Sequence, residues 1–165
     1  RPELICIGYM GDGGGYSIGS QHLVNSAIRN EKITLILANN TNYAMTGGQL
    51  APTTLPGQKT ETTPFGRDPQ LTGHPTMGPE MICSITGDGA YVARGTVAKY
   101  RQLKGFIKKA LQNQMEGNGF SFVEALSTCP NNWRTNAKQT WDWLEDKMGA
   151  FYPIGELKSP FRKEG

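Results

Sequence analysis

Apolar and polar positions along the chain change period in blocks. Leu4 to Ile7 is a short, wholly apolar stretch of the kind a doubly covered strand shows, and glycines at 11, 13, 14 and 15 follow it. From Ile18 to Arg29 the spacing becomes helical. Ile18, Leu23, Ala27 and Ile28 fall on one face, Gln21, Asn25 and Arg29 point elsewhere, and Ser17 stands where an N-cap is expected. Ile33 to Ala38 is again almost wholly apolar, as suits a parallel strand covered on both sides. Together these predict a βαβ unit whose strand and helix are joined by a glycine loop. From Asn39 to Pro79 the chain is polar and rich in Gly, Pro and Thr, with no period that supports a helix or strand. A segment of that length inside a compact domain is usually functional or disordered. Helical spacing returns with Val97, Leu103, Ile107 and Leu111 within Thr96 to Gln114. Phe120 to Leu126 reads as a strand, and Ala137 to Met148 as a last helix. The alternation predicts an α/β fold with a doubly wound, mostly parallel sheet, forming one domain over residues 1–165 without repeats or linkers.

Composition narrows the functional classes. The 37% hydrophobic content of these 165 residues suffices for one packed core. The net charge of +3 is dispersed, since bases alternate with acids and no run of five like charges occurs, so no nucleic-acid partner is expected. No apolar stretch approaches the roughly 18 residues a membrane span needs, and no signal sequence opens the chain, so a cytoplasmic setting is expected. The first apolar run begins only three residues after Arg1, which suggests that an N-terminal portion precedes it. Three cysteines at wide spacing indicate neither a disulfide framework nor a self-contained zinc site. Cys6, inside the first expected strand, and Cys83, in a short apolar run, are assigned to packing. His22 and His74 read as structural or surface residues. Glycine is the outlier: 21 residues, concentrated before Thr96, direct the search for function to that half.

Two short motifs there carry chemistry. Gly11-Asp12-Gly13 follows the first strand and Asn39-Asn40 follows the second, at the carboxyl ends where open α/β sheets place ligands. A diphosphate is a dense anion suited to Mg²⁺, which prefers six oxygen ligands shared between one or two protein groups and the phosphates. Asp12 offers a carboxylate, Asn40 an amide oxygen, and the backbone carbonyl near Asn42 a third. Gly11, Gly13 and Gly14 allow close approach of the backbone, and the first N–H groups of the following helix face the phosphate charge. As a loop residue expected to face solvent, Asp12 should be replaceable by alanine without cost to the fold. Rival phosphate motifs fail. Gly14 and Gly19 have the Walker gap but Ser20 stands where lysine is required, and no Gly-x-Gly-x-x-Gly can be read through 11 to 19. A second Gly-Asp-Gly, at 87 to 89, has no asparagine pair at the same distance and reads as a turn with Asp88 structural.

The separation of Asp12 from Asn40, 40 − 12 = 28 residues, resembles the thiamine diphosphate signature. The run Asn-Asn-Thr-Asn-Tyr-Ala-Met-Thr-Gly-Gly-Gln at 39 to 49, continued by Ala-Pro-Thr-Thr-Leu-Pro-Gly-Gln-Lys-Thr at 51 to 60, is similar to the β subunit of 2-oxoacid:ferredoxin oxidoreductases. The 2-oxoglutarate and 2-oxoisovalerate types are the nearest in pattern, and the similarity extends from Arg1 to about Lys158. The resemblance implies a thiamine diphosphate-binding fold and oxidative decarboxylation of a 2-oxoacid to an acyl-CoA, with electrons passed to ferredoxin. It further implies thiamine diphosphate and Mg²⁺ as cofactors, and an α subunit, ferredoxin, coenzyme A and a 2-oxoacid as partners. Tyr43, Met45, Thr46 and Gly47 would lie along the cofactor, with Met45 where pyruvate-specific relatives carry a polar residue. Cys129 matches a thiolate ligand of a 4Fe-4S cluster whose other ligands lie in an N-terminal region absent from this sequence; one cysteine cannot hold such a cluster. The metal-binding set implied is therefore Asp12, Asn40, Asn42 and Cys129, and none of these is a catalytic acid or base, because the family places the activating glutamate on the partner subunit. His22 and Trp133 either line the site or pack beside it. Two rival readings share Asp12 and Asn40 or dispense with them: a decarboxylase or transketolase-like thiamine enzyme, and a non-catalytic subunit fragment.

Overall fold

The computed structural model describes residues 3–161; Arg1, where the expected similarity begins, lies outside them. Five strands form one sheet: β1 (Ile7–Gly11), β2 (Thr34–Asn39), β3 (Tyr91–Thr96), β4 (Ser121–Leu126) and β5 (Gly155–Lys158). Their spatial order is β1-β2-β4-β3-β5, with the first four parallel and β5 antiparallel to β3. The intervening helices are α1 (Ser20–Ile28), α2 (Pro69–Thr72), α3 (Gly78–Ile85), α4 (Tyr100–Met115), α5 (Pro130–Trp133), α6 (Ala137–Asp142) and α7 (Gly149–Phe151). Among the described residues no helix is long and apolar enough to cross a membrane.

Alternation along the strands divides the core in two. Leu35, Leu37, Val92 and Phe122 point to one face, under Tyr16, Leu23, Ala27 and Ile82. Tyr91, Ala93, Val123 and Ala125 point to the other, under Leu103, Phe106 and Ala110 of α4. Helices on both faces of a mostly parallel sheet make this the doubly wound architecture the sequence predicts. A third cluster at the carboxyl end of the sheet joins Leu126 to Leu55, Leu144, Met148 and Tyr152, fastening the long connection after β2 to the C-terminal helices.

Several boundaries and burials differ from expectation. The first strand lies three residues later than Leu4, and Leu4, Ile5, Cys6 and Ile7 are exposed. The reason is position: β1 is an edge strand with a single neighbour, so its apolarity does not bring burial on both faces, and Cys6 packs in no core. Ser17 caps nothing. The chain winds a wide π-helical turn over Gly14–Ile18, and α1 starts after Gly19 without a side-chain cap. That wider turn rotates the expected apolar face, so Tyr16, Leu23 and Ala27 are buried while Ile18 and Ile28 face outward. The helix expected from Thr96 begins at Tyr100, after a 3₁₀ turn whose first N–H groups Thr96 caps through its hydroxyl to the Ala98 amide. α6 opens with a capping box between Asn136 and Gln139, and continues as a π-helical turn to Met148.

Several elements have no periodic signal in the sequence, α3 and β3 among them. α3 opens on Gly78-Pro79, which reads as a loop but places proline in the first turn, where its missing N–H costs nothing. β3 carries Arg94 at its centre, yet this side chain is fully buried. Its guanidinium donates through Nε to Glu124 on β4 and, through both terminal nitrogens at 2.7 Å, to Glu80 on α3. Glu124, also fully buried, accepts further bonds from the Tyr16 hydroxyl at 2.8 Å and the Asn39 amide at 3.2 Å. Arg94 lies 5.1 Å from the centre of the Tyr152 ring. Burial alone would lower the Arg94 pKa, but the two carboxylates raise it above its ordinary value and hold the cation. The turn expected at Gly87 to Gly89 is present, with Asp88 exposed.

Candidate functional site

β1 and β2 are adjacent and parallel, with Gly11 opposite Ala38, so the segments that follow them emerge side by side at the carboxyl edge. Between them lies a cavity of about 330 Å³ lined by Gly11, Asp12, Gly13 and Gly14 from one side and by Asn40, Asn42, Tyr43, Ala44, Met45 and Thr46 from the other. Almost the whole expected constellation thus meets in one place. Gly47 and Cys129 do not line the cavity. Gly47 lies just beyond it in a turn at φ +112°, and the Cys129 thiol sits 3.7 Å from the Asn42 amide oxygen. His22 and His74 are exposed, while Trp133 packs under the site and donates from Nε1 to the Asn40 carbonyl at 3.1 Å.

Asp12 departs from its expected setting. It is 2% exposed, not solvent-facing. Its Oδ1 accepts from the Gly13 amide at 3.0 Å and its Oδ2 from the Thr53 hydroxyl. Burial pushes its carboxyl up to about 6, with the Glu124 charge adding to the rise and the Thr53 and Gly13 hydrogen bonds opposing it. A buried anion held this way gains from a nearby cation.

The opposite arm is a chain of side-chain to backbone hydrogen bonds. Asn39 Oδ1 accepts from the Thr41 amide at 3.0 Å, and the Asn42 side chain donates to the Asn40 carbonyl at 2.9 Å. Thr41 occupies the left-handed region at φ +60°, a strained conformation for a β-branched residue. It is retained because Thr54 donates to its carbonyl at 2.6 Å and Gln58 to its hydroxyl at 2.8 Å. Asn132 donates to the Asn42 amide oxygen at 3.2 Å and to the Ala44 carbonyl at 3.0 Å, tying α5 to the same arm. Tyr43 crosses back to donate to the Gly13 carbonyl at 3.3 Å. A methyl group on Gly13 would stand 2.3 Å from the Tyr43 ring. Gly13→Ala is therefore expected to displace Tyr43 and cost about 1–3 kcal/mol of stability, the usual cost of overpacking, read as a lower urea midpoint; an unchanged midpoint would show that the ring moves freely.

Thr53, Thr54, Gln58 and Arg67 are buried members of the site that the sequence reading did not single out. They belong to the connection for which no period was found. Its order comes from polar side chains bonded to backbone: Arg67 alone donates to the carbonyls of Pro52, Thr54 and Gly73 at 3.0, 2.5 and 3.1 Å. Such an arrangement leaves no hydrophobic rhythm along the sequence.

The donor set at the cavity consists of oxygens: the Asp12 carboxylate, the Asn40 amide and nearby backbone carbonyls. It fits a hard cation such as Mg²⁺ completed by phosphate and water, and does not suit a soft metal. Among the described residues no group of three His, Cys, Asp or Glu side chains could hold a metal. A four-thiolate iron–sulfur cluster does not fit them, since Cys129 follows β4 and Cys6 precedes β1, at opposite ends of the parallel sheet.

Residues 1–125 match the family model of the thiamine pyrophosphate enzyme C-terminal TPP-binding domain. The chain is 39% identical over 159 residues to ketoisovalerate oxidoreductase subunit VorA of Methanothermobacter thermautotrophicus, covering 94% of this chain and 33% of that protein. It is 38% identical over 134 residues to 2-oxoglutarate synthase subunit KorB of Archaeoglobus fulgidus, covering 81% of this chain and 46% of that one. A solved 2-oxoglutarate:ferredoxin oxidoreductase from Magnetococcus marinus, with 2-oxoglutarate, coenzyme A and succinyl-CoA bound, superposes with a TM-score of 0.75 at 27% identity, over 99% of this chain and 59% of its own. The chain thus spans between a third and a half of the length of these curated relatives.

Proposed function

Since the chain belongs to the family of thiamine pyrophosphate enzyme C-terminal TPP-binding domains, we propose that the cavity between Asp12 and Asn40 holds the diphosphate of thiamine diphosphate through Mg²⁺. In this reading the chain is the cofactor-holding, β-type part of a 2-oxoacid:ferredoxin oxidoreductase. It works with an α subunit to convert a 2-oxoacid to an acyl-CoA while ferredoxin takes the electrons. The observation that carries the reading is the convergence of two segments distant in sequence, Gly11 to Gly14 and Asn40 to Thr46, on one cavity with Asp12 and Asn40 in its lining.

The bound cofactor would supply the nucleophilic thiazolium carbon and the electron sink that decarboxylation of a 2-oxoacid requires. The chain's own residues bind and orient. Asp12 and Asn40 hold the cation, and the glycines beside Asp12 let the backbone approach the phosphates. Tyr43, braced on the Gly13 carbonyl, closes one wall. Met45, 98% exposed at the mouth, offers an apolar and flexible contact, which leans substrate choice away from pyruvate toward larger 2-oxoacids. The Cys129 thiol, beside Asn42, is a single candidate ligand for an iron–sulfur centre, which the described residues do not complete.

Isothermal titration of the chain with thiamine diphosphate is expected to show one saturable site that requires Mg²⁺. Absence of binding both to this chain and to its complex with the α subunit would overturn the reading.

A further inference from the structure

We infer that Thr53 is a positioning residue for the metal: its hydroxyl, donated to Asp12 Oδ2, aims the carboxylate into the cavity. The inference rests on the diphosphate reading above and extends it to a residue that does not line the cavity.

The geometry is specific. A carboxylate offers about four lone-pair directions. At Asp12 the Gly13 amide takes one on Oδ1 and the Thr53 hydroxyl takes one on Oδ2, so both rotation and tilt of the group are set before any ion arrives. Both partners are buried, Asp12 at 2% and Thr53 at 0% exposure, and water therefore does not replace the hydroxyl cheaply. Thr53 is itself fixed. Its carbonyl accepts from the Tyr152 hydroxyl at 2.7 Å, and its neighbours Pro52 and Thr54 are held through their carbonyls by Arg67.

The same loop also reaches the other arm of the site. Thr54 donates to the Thr41 carbonyl and Gln58 to the Thr41 hydroxyl, next to Asn40. One short segment, Thr53 to Gln58, thus bonds to both halves of the expected cation site and sets the distance between them. A hydroxyl matters at position 53 because the acceptor is an anion and the side chain is fully buried, away from water that could replace it. Groups that hydrogen-bond a metal ligand from behind typically govern 10- to 100-fold in metal affinity, since they prepay the ordering of that ligand.

The test compares two pairs of variants that differ at position 53 by a hydroxyl: wild type against Thr53→Val, and Thr53→Ser against Thr53→Ala. Each is titrated with Mg²⁺ at fixed thiamine diphosphate, followed by calorimetry, with the thermal midpoint as a control for folding. The Mg²⁺ concentration at half-saturation is expected to rise by about 10- to 100-fold in both hydroxyl-free variants and to stay within about threefold of wild type in Thr53→Ser. At saturating Mg²⁺ the affinity for thiamine diphosphate should return to the wild-type value, a recovery that a collapsed site would not show. Wild-type metal dependence in Thr53→Ala, or a defect in Thr53→Ser as large as in Thr53→Val, would overturn the role of Thr53 and leave the diphosphate site standing. Absence of metal-dependent binding in the wild-type chain and in its α-subunit complex would remove both together.

Discussion

Asp12→Asn is expected to weaken Mg²⁺-dependent binding of thiamine diphosphate by roughly 100-fold or more, about 2.8 kcal/mol, while the fold persists. Asparagine keeps the shape and one acceptor oxygen for Thr53 or Gly13, but it removes the charge that a hard cation requires. Alanine is the poorer test. Because Asp12 is buried rather than solvent-facing, its removal strands the Thr53 hydroxyl and the Gly13 amide, each at about 1–3 kcal/mol. A loss of binding in Asp12→Ala would therefore mix a site effect with a folding effect. Calorimetric titration of Asp12→Asn beside a thermal melt separates them, and wild-type affinity in that variant would show that Asp12 does not touch the metal.

Arg94→Met carries the largest expected loss of stability. Arg94 and Glu124 are both fully buried, and removal of the cation leaves a carboxylate facing the core with only Tyr16 and Asn39 as donors. Breaking a buried pair from one side costs about 3–5 kcal/mol, against a total that is commonly 5–15 kcal/mol for a domain. The urea midpoint should fall accordingly. The double variant Arg94→Met, Glu124→Leu should recover part of the loss, because no charge is then left unpaired. Recovery stays incomplete, since Tyr16 and Asn39 lose their acceptor. A single variant as stable as wild type would show that Glu124 is neutral in the folded chain. The pair also bears on the site: Asn39, which donates to Glu124, uses its own amide oxygen to shape the turn leading to Asn40.

Where local chemistry and local pattern agree, the amino-acid order was enough. Ile33 to Ala38 and Phe120 to Leu126 are mostly apolar, as suits the interior strands β2 and β4 that they form, and each lies within a residue of its predicted bounds. Asp12 and Asn40 were legible from their short motifs, and in the structure each directly follows a strand, β1 and β2. The prediction failed where burial depends on a neighbour far along the chain. Leu4 to Ile7 resembles a core strand but lies at an edge, and the pairing of buried Arg94 with Glu124 and Glu80 has no signal in the local pattern.

The sequence by itself therefore determined the class of fold, the alternation of strands and helices, and the two short motifs that face each other across the cavity. Those features depend on period and spacing, which are properties of the chain alone. Only the tertiary structure decided that Asp12 is buried, that Thr53 and the Thr54–Gln58 turn brace both arms, and that a buried Arg94–Glu124 pair supports the sheet beneath them. Hydrogen bonds between residues 30 to 108 positions apart leave no periodic trace, so their partners become visible only when the chain is folded.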